Sequence, residues 1–294
     1  MAQVITAGEI VRRIRGQIGE QWISPSSEGF QCGSEDTKVD GIVTTWTPSI
    51  EVLSRAVSQK HNLIISVEPP FWQESGPVKT EVAYGSPSKD LLEKSGAYEY
   101  KKKLIDEHGL VLWRFNENYK AISSNPRLNA LARALGWSGH EDKAATQNVA
   151  KPRAGIYGIP EVPLGALARQ AAKNTGARTL RSLGDPEVRI KMVALLPGYV
   201  TDAQMMAAVR DRDVDAVVCG EACQWEAFEY AEDWITQGWG KGLIMLGVAA
   251  SEDPGAKAIA SWLQTFLTDV PSVGIADGEP YNFVVSHEKV KGSV

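Results

Sequence analysis

Histidine is scarce in this chain, with four among 294 residues. His61, His108, His140 and His287 stand at helix ends, in a polar stretch or in the tail. No pair has the spacing of helical metal ligands, so each reads as a solvated surface side chain. Cysteine is scarcer: Cys32, Cys219 and Cys223 form an odd set without a C-x-x-C. That excludes a disulfide framework and a zinc ribbon, and a reduced, cytoplasmic protein is expected. A long apolar run is missing too, and the first twenty or so residues lack the compact apolar core of a signal peptide, so no membrane partner is expected. A basic surplus is absent: 31 Lys and Arg face 36 Asp and Glu, for a net charge of −5. This disfavours nucleic acid as a partner. The cluster Lys101-Lys102-Lys103, beside Tyr98, Tyr100 and Leu104, reads as the wet face of a helix. There is no G-x-S-x-G elbow, no P-loop and no G-x-G-x-x-G after a strand.

What is present is an ordinary globular composition, 43% hydrophobic, with length for one large domain or two moderate ones. Apolar periodicity predicts a helix over 6–22 with Thr6 as N-cap, then a Ser/Gly/Pro-rich loop over 23–36. A β-branched strand at 39–45, a helix at 48–59 and a strand at 63–67 make a βαβ unit. A polar, mixed-charge region at 73–90, a helix at 91–107, a strand at 110–115 and a helix at 128–135 follow. In the second half, helices are predicted at 164–175, 201–210, 225–238 and 256–266. Strands alternate with them at 178–183, 188–195, 214–219, 242–247 and 272–276. Residues 39–68 and 190–221 share one order: strand, turn, helix, strand, glutamate. The chain therefore divides into a first α/β half (1–140), a linker (141–160) and a second α/β half (161–294). The expected fold is two similar α/β halves, with mixed or parallel sheets facing across a cleft.

Four carboxylates fall where predicted strands meet loops: Glu68, Glu117, Glu221 and Glu252. The carboxyl edge of an α/β sheet is where ligands bind, so the four together suggest an acidic pocket. Each one alone also fits a solvated loop or, at Ser251-Glu252-Asp253-Pro254, acid residues at a helix start. Cys219 and Cys223 flank Glu221 and read as packing.

The segments Ile65-Ser66-Val67-Glu68-Pro69, Trp113-Arg114-Phe115-Asn116-Glu117-Asn118 and Gly247-Val248-Ala249-Ala250-Ser251-Glu252 occur in that order. So do Asp40 to Thr45, Gly220 to Tyr230 and Lys241 to Ile244. Together they resemble the Nif-three-like family, also described as GTP cyclohydrolase type two-like proteins, from about Ile10 to about Pro280. Its motifs read T-H-E-P, R-F-H-D-H and G-H-x-x-S-E. The resemblance implies two α/β halves, assembly into dimers or hexamers, and two divalent metals in the cleft that hydrolyse small heterocycles. Here Val67, Asn116, Asn118 and Val248 stand where the family has histidine, while Glu68, Glu117 and Glu252 keep acids. Zinc or iron favours imidazole, so no tightly held cofactor is expected; oxygen ligands alone leave room for weakly held Mg²⁺ or Mn²⁺.

Three functions follow as expectations. The first is a hydrolase of a small nitrogen heterocycle, opening a ring or removing an amine, with Glu68, Glu117 and Glu252 as acid and base. Arg114 would orient an anionic substrate, with Asn116, Asn118, Trp72 and Glu221 lining the pocket. Phe71 and Trp225 are further candidates for stacking or packing. The second is a catalytically silent homo-oligomer that binds a ligand or partner. The third is a hydrolase using oxygen-ligated Mg²⁺ or Mn²⁺.

Overall fold

The computed structural model describes residues 5–72, 89–122, 125–148, 154–209 and 213–282. Most of the polar region expected at 73–90, residues 149–153 of the expected linker, and His287 lie outside the described residues.

Helix α1 (Ala7–Ile18) starts as predicted, with the Thr6 hydroxyl accepting from the Glu9 N–H (3.3 Å), and buries Ile10, Val11, Ile14 and Ile18. Strand β1 (Gly29–Cys32) follows, inside the stretch expected to be a loop. Its sequence, Gly-Phe-Gln-Cys, has no alternation to announce a strand, and its pairing comes from a distant segment. Strand β2 (Ile42–Thr45), helix α2 (Ile50–Ser58) and strand β3 (Leu63–Ser66) form the expected parallel unit, with Ser49 capping α2 at the Val52 N–H (3.3 Å). The helix expected at 91–107 is two: α3 (Lys89–Glu93) and α4 (Gly96–Glu107). Strand β4 (Val111–Arg114), helix α5 (Glu117–Ala121) and helix α6 (Pro126–Leu135) end this half.

The second half runs α7 (Lys143–Asn148), β5 (Gly155–Pro163), α8 (Leu164–Thr175), β6 (Arg181–Leu183), β7 (Arg189–Val200), α9 (Asp202–Val209), β8 (Ala216–Ala222), α10 (Ala227–Thr236), β9 (Gly242–Met245), α11 (Val248–Leu263) and β10 (Ser272–Gly274). One sheet has the order β1-β4-β3-β2-β10 and the other β5-β7-β8-β9-β6. In each, three parallel strands follow one another (β2, β3, β4 and β7, β8, β9). The strand that precedes them in sequence returns antiparallel to the outer edge (β1 on β4, β6 on β9). The internal repeat read from 39–68 and 190–221 is thus a repeat of topology.

Two exchanges cross the expected boundaries. Residues 155–160, placed in the linker, begin β5, and 155–158 pair with β7, so the second sheet starts before residue 161. At the other end, β10 leaves its own half and pairs with β2. A third correction concerns α11, which begins at Val248, so Glu252 and Asp253 sit within a helix and Pro254 lies inside it. Proline removes one helical hydrogen bond and normally marks a boundary. Packing overrides it here: the Gly255 carbonyl accepts from the Tyr119 hydroxyl (2.9 Å) and the Ala256 carbonyl from Thr44 (2.8 Å).

Strands β2, β3 and β4 are buried throughout, since helices cover both faces of the sheet. Ile10, Ile14, Ile42, Leu63, Ile259 and Leu263 pack on one side, and Val52, Leu53, Ile64 and Ile105 on the other. Each such side chain contributes about 1.5–3 kcal/mol of burial. Helix α11 touches β2 and β10 of one sheet, β7 and β8 of the other, and α6, so it joins the halves. Among the described residues no helix is long and apolar enough to cross a membrane.

Candidate functional site

The end of β3 is tied to its neighbours by main-chain bonds. Val67 and Glu68 donate to the Thr45 and Trp46 carbonyls (3.1 and 2.9 Å), and the Ser66 hydroxyl donates to the Glu68 carbonyl (2.8 Å). Glu68 is half-buried at this edge. Arg114, expected to meet a substrate anion, is buried, and its Nε donates to the Val67 carbonyl (3.3 Å). That bond braces the end of β3. Trp72 is 53% exposed and has φ of +59°, a left-handed conformation that is strained for so large a side chain.

Past β4, the Asn116-Glu117-Asn118 segment interlocks with the loop before β1. Glu28 Oε1 accepts the N–H groups of Asn116 (3.0 Å) and Asn118 (2.7 Å), and Oε2 accepts from Asn118 Nδ2. In return, Glu117 accepts the Ser27 N–H (2.9 Å) and the Ser27 hydroxyl. The Asn118 amide also takes the Ile23 N–H (2.6 Å) and donates to the Ile23 carbonyl (3.3 Å). Burial pushes the Glu28 carboxyl above the ordinary carboxylate range. The donors from Asn118 and Asn116 oppose that rise, and nearby Glu117 adds to it. Sequence reading missed Glu28 because nothing local marks it. Its partners are 88 and 90 residues away.

Glu252 lies elsewhere, under the ends of β7 and β8. Arg127 of α6 grips it with Nε on Oε2 (2.5 Å) and Nη2 on Oε1, and Nη2 also donates to the Pro197 carbonyl (2.8 Å). Both side chains are nearly enclosed, 9% and 6% exposed. Gly198, at φ +78°, is needed here: a Cβ would run into the Glu252 carboxylate and the Arg127 guanidinium. Gly220 likewise has Ser251 Oγ and the Gly198 carbonyl where a Cβ would go. The Ser251 hydroxyl accepts from Gly198 N–H (3.0 Å) and donates to the Val248 carbonyl (2.8 Å). Glu221 lies within β8 and pairs with Arg181 of β6. Glu117, Glu221 and Glu252 therefore have three different partners, Ser27, Arg181 and Arg127. Trp225 is 72% exposed beside Cys223 and so is not core packing. Cys219 is fully buried, which disfavours its thiolate.

A cleft of about 440 Å³ opens beside β1. Residues 27–33 form one wall, Tyr98, Lys102 and Asp106 of α4 the other, and residues 69–71 close one end. Phe71 and Tyr98 contact at 4.6 Å. Behind this end, Lys101 is buried, donates to the Pro70 carbonyl (2.5 Å) and lies 5.9 and 5.6 Å from the Phe71 and Trp72 rings. Burial brings its ammonium down to about 8, and burial pushes the Cys32 thiol up to about 11.

The arrangement of strands and helices has solved counterparts. Residues 18–97 match the family model described as Duf34/NIF3 (NGG1p interacting factor 3). Protein ybgI, of unknown function, superposes with a TM-score of 0.70 at 22% identity, over 94% of this chain and 100% of its own. A Bacillus cereus protein related to NIF3 gives 0.69 at 13% identity, over 96% and 100%. The chain shares the fold of these NIF3-related proteins. Reduced HcgD from Methanocaldococcus jannaschii gives 0.65 at 15% identity, over 93% and 99%. At these identities the likenesses establish the fold. No curated protein matches the sequence.

The NIF3 fold carries an expectation of paired metals, and the residues present do not fit them. Val67 and Val248 offer no lone pair. The Asn118 amide is engaged at both ends, Glu117 accepts two bonds from Ser27, and Glu252 is held by Arg127. Among the described residues, no group of three or more His, Cys, Asp or Glu side chains is disposed to hold a metal ion.

Proposed function

We propose that this NIF3-like chain is a catalytically silent, binding member of its fold, in which the segments that the resemblance assigns to metal chemistry serve as internal fastenings. The observation that carries this reading is the Arg127–Glu252 pair. A carboxylate gripped at both oxygens by a buried guanidinium is a poor metal ligand and a poor general base. The Ser27–Glu117 and Glu28–Asn118 bonds extend the same conversion to the second motif. Assembly into dimers or hexamers is carried over from the resemblance, and light scattering reads it directly.

Elemental analysis after incubation with Zn²⁺ or Mn²⁺, joined to a panel of nitrogen heterocycles followed by ultraviolet absorbance, tests the reading. No stoichiometric metal and no turnover are expected. Two firmly held transition-metal ions per chain would overturn it.

One observation favours a second reading, in which hydrolysis persists on a different acid/base pair. Glu28, raised by burial, stands beside Glu117, and two carboxyls driven apart in acidity are a pattern of acid/base sites. Turnover that disappears in both Glu28→Gln and Glu117→Gln, yet survives Glu252→Gln, would establish that pair. The same turnover would replace the silent reading.

A further inference from the structure

After α11 the chain crosses from one half to the other. Strand β10 pairs with β2 of the first sheet, and Ile275 continues it by donating to the Thr44 carbonyl (2.9 Å). The Ile275 side chain is buried among Val43, Val52 and Leu53. Arg55 of α2 donates to the Ala276 carbonyl (3.4 Å), and the Asp277 carboxylate takes the Ser49 hydroxyl. Up to Asp277, the stretch therefore belongs to the first half. Its main chain then passes to Asp253 of α11, which accepts the N–H groups of Asp277 (3.2 Å) and Gly278 (3.3 Å). The next contacts lie in the second half, at Arg178 just ahead of β6. Glu279 accepts the Arg178 N–H (2.9 Å), and the Arg178 guanidinium donates to the Tyr281 carbonyl (3.2 Å). The other Glu279 oxygen lies 2.9 Å from where a Cβ on Gly247 would stand, against the start of α11. A carboxylate suits that place, because the amino end of a helix carries partial positive charge.

The grip differs in kind on the two sides of Asp277. Ile275 is held by burial and by a strand ladder. No residue from Gly278 to Tyr281 is buried, and the bonds that hold this piece are polar ones near the surface, which exchange with water at small net cost. Gly278 has φ of +76°, a conformation that glycine enters and leaves without a Cβ penalty. Pro280 stiffens the piece beyond it, since the proline ring fixes φ. A stiff arm on a glycine, fastened by polar bonds at its far end, has the makings of a segment that opens locally while the core stays folded.

We infer that Gly278 to Tyr281 form a releasable clasp between the halves: it swings about Gly278 as one unit while β10 stays in its sheet, and its opening uncovers Gly247 and the start of α11. The inference goes beyond the reading of the chain as a binding member, and neither metal content nor turnover enters its test.

The test is amide exchange followed by NMR on the full chain, in urea too dilute to unfold it. In wild type, the Gly278 and Arg178 amides are expected to share one opening equilibrium, distinct from and more open than that of Ile275. Glu279→Ala is expected to speed exchange at Gly278 about tenfold or more, the size of one lost charge-assisted hydrogen bond, although the acceptor for Gly278, Asp253, is untouched. The Val248 amide should follow as the start of α11 is uncovered. Arg178→Ala, which removes the guanidinium from Tyr281, is expected to act in the same direction at Gly278. Acceleration confined to the Arg178 amide, whose own acceptor is lost in Glu279→Ala, would overturn the inference. So would an unchanged Val248 amide, or Ile275 exchanging in step with Gly278. If either variant fails to fold, the wild-type measurement still decides, because different opening equilibria at Gly278 and Arg178 would rule out a single unit.

Discussion

Arg127 and Glu252 lie 125 residues apart in sequence and meet as a two-pronged ion pair in the junction between the halves. The pair engages both oxygens of the Glu252 carboxylate. It also ties α6, from the first half, to α11, which packs on both sheets.

A buried pair of this kind is costly to break from one side. Glu252→Gln leaves a guanidinium without its counter-charge and is expected to lower unfolding stability by about 3–5 kcal/mol. Replacing both residues with leucine is expected to cost much less than the sum of the single changes. Urea unfolding of the two single variants and the double variant checks this, and additive losses would refute the coupling.

Asn118 holds the loop before β1 through Ile23 and Glu28. Asn118→Ala is expected to cost about 1–3 kcal/mol, the usual penalty for stranding buried polar partners. Hydrogen exchange should accelerate at residues 23–28 and leave α8 unchanged. Uniform acceleration across the chain would argue against a local fastening.

The pH response of Glu28 has a definite sign. Its folded carboxyl binds a proton more tightly than its unfolded one, so its stabilising contribution is complete below the ordinary value of 4.5. That contribution falls as pH rises through the raised folded value. Wild type should therefore lose stability relative to Glu28→Gln as pH is raised from 4 toward neutrality, by at most about 1.4 kcal/mol per pH unit for one proton. Chemical denaturation of both proteins across that range measures the difference.

Lys101 works in the opposite direction. Its folded value of about 8 lies below the ordinary 10.5, so between these two the unfolded chain holds the extra proton. Wild type should gain stability relative to Lys101→Met as pH rises across that window. A flat difference would show that the ammonium reaches water.

Much of the scaffold was legible because it rests on local pattern. Thr6 was readable as an N-cap and caps as expected, and the helix expected at 48–59 is present with Ser49 as its cap. The strands expected at 39–45 and 63–67 were readable as a parallel pair. Less of the candidate site was legible. Val67, Asn116, Asn118 and Val248 can be read from the sequence as positions without imidazole, but nothing near Glu117 points to Ser27. Pro254 pointed to a helix start that contacts with Tyr119 and Thr44 moved to Val248.

The sequence by itself determined the alternation of strands and helices and the repeated halves, because each is written in residue type and short-range spacing. Tertiary structure alone decided what the retained acids do. Arg127 neutralises Glu252, Arg181 takes Glu221 and Ser27 takes Glu117 across distances of 40 to 125 residues. A carboxylate's chemistry depends on its nearest charge and its access to water, and the packed chain sets both.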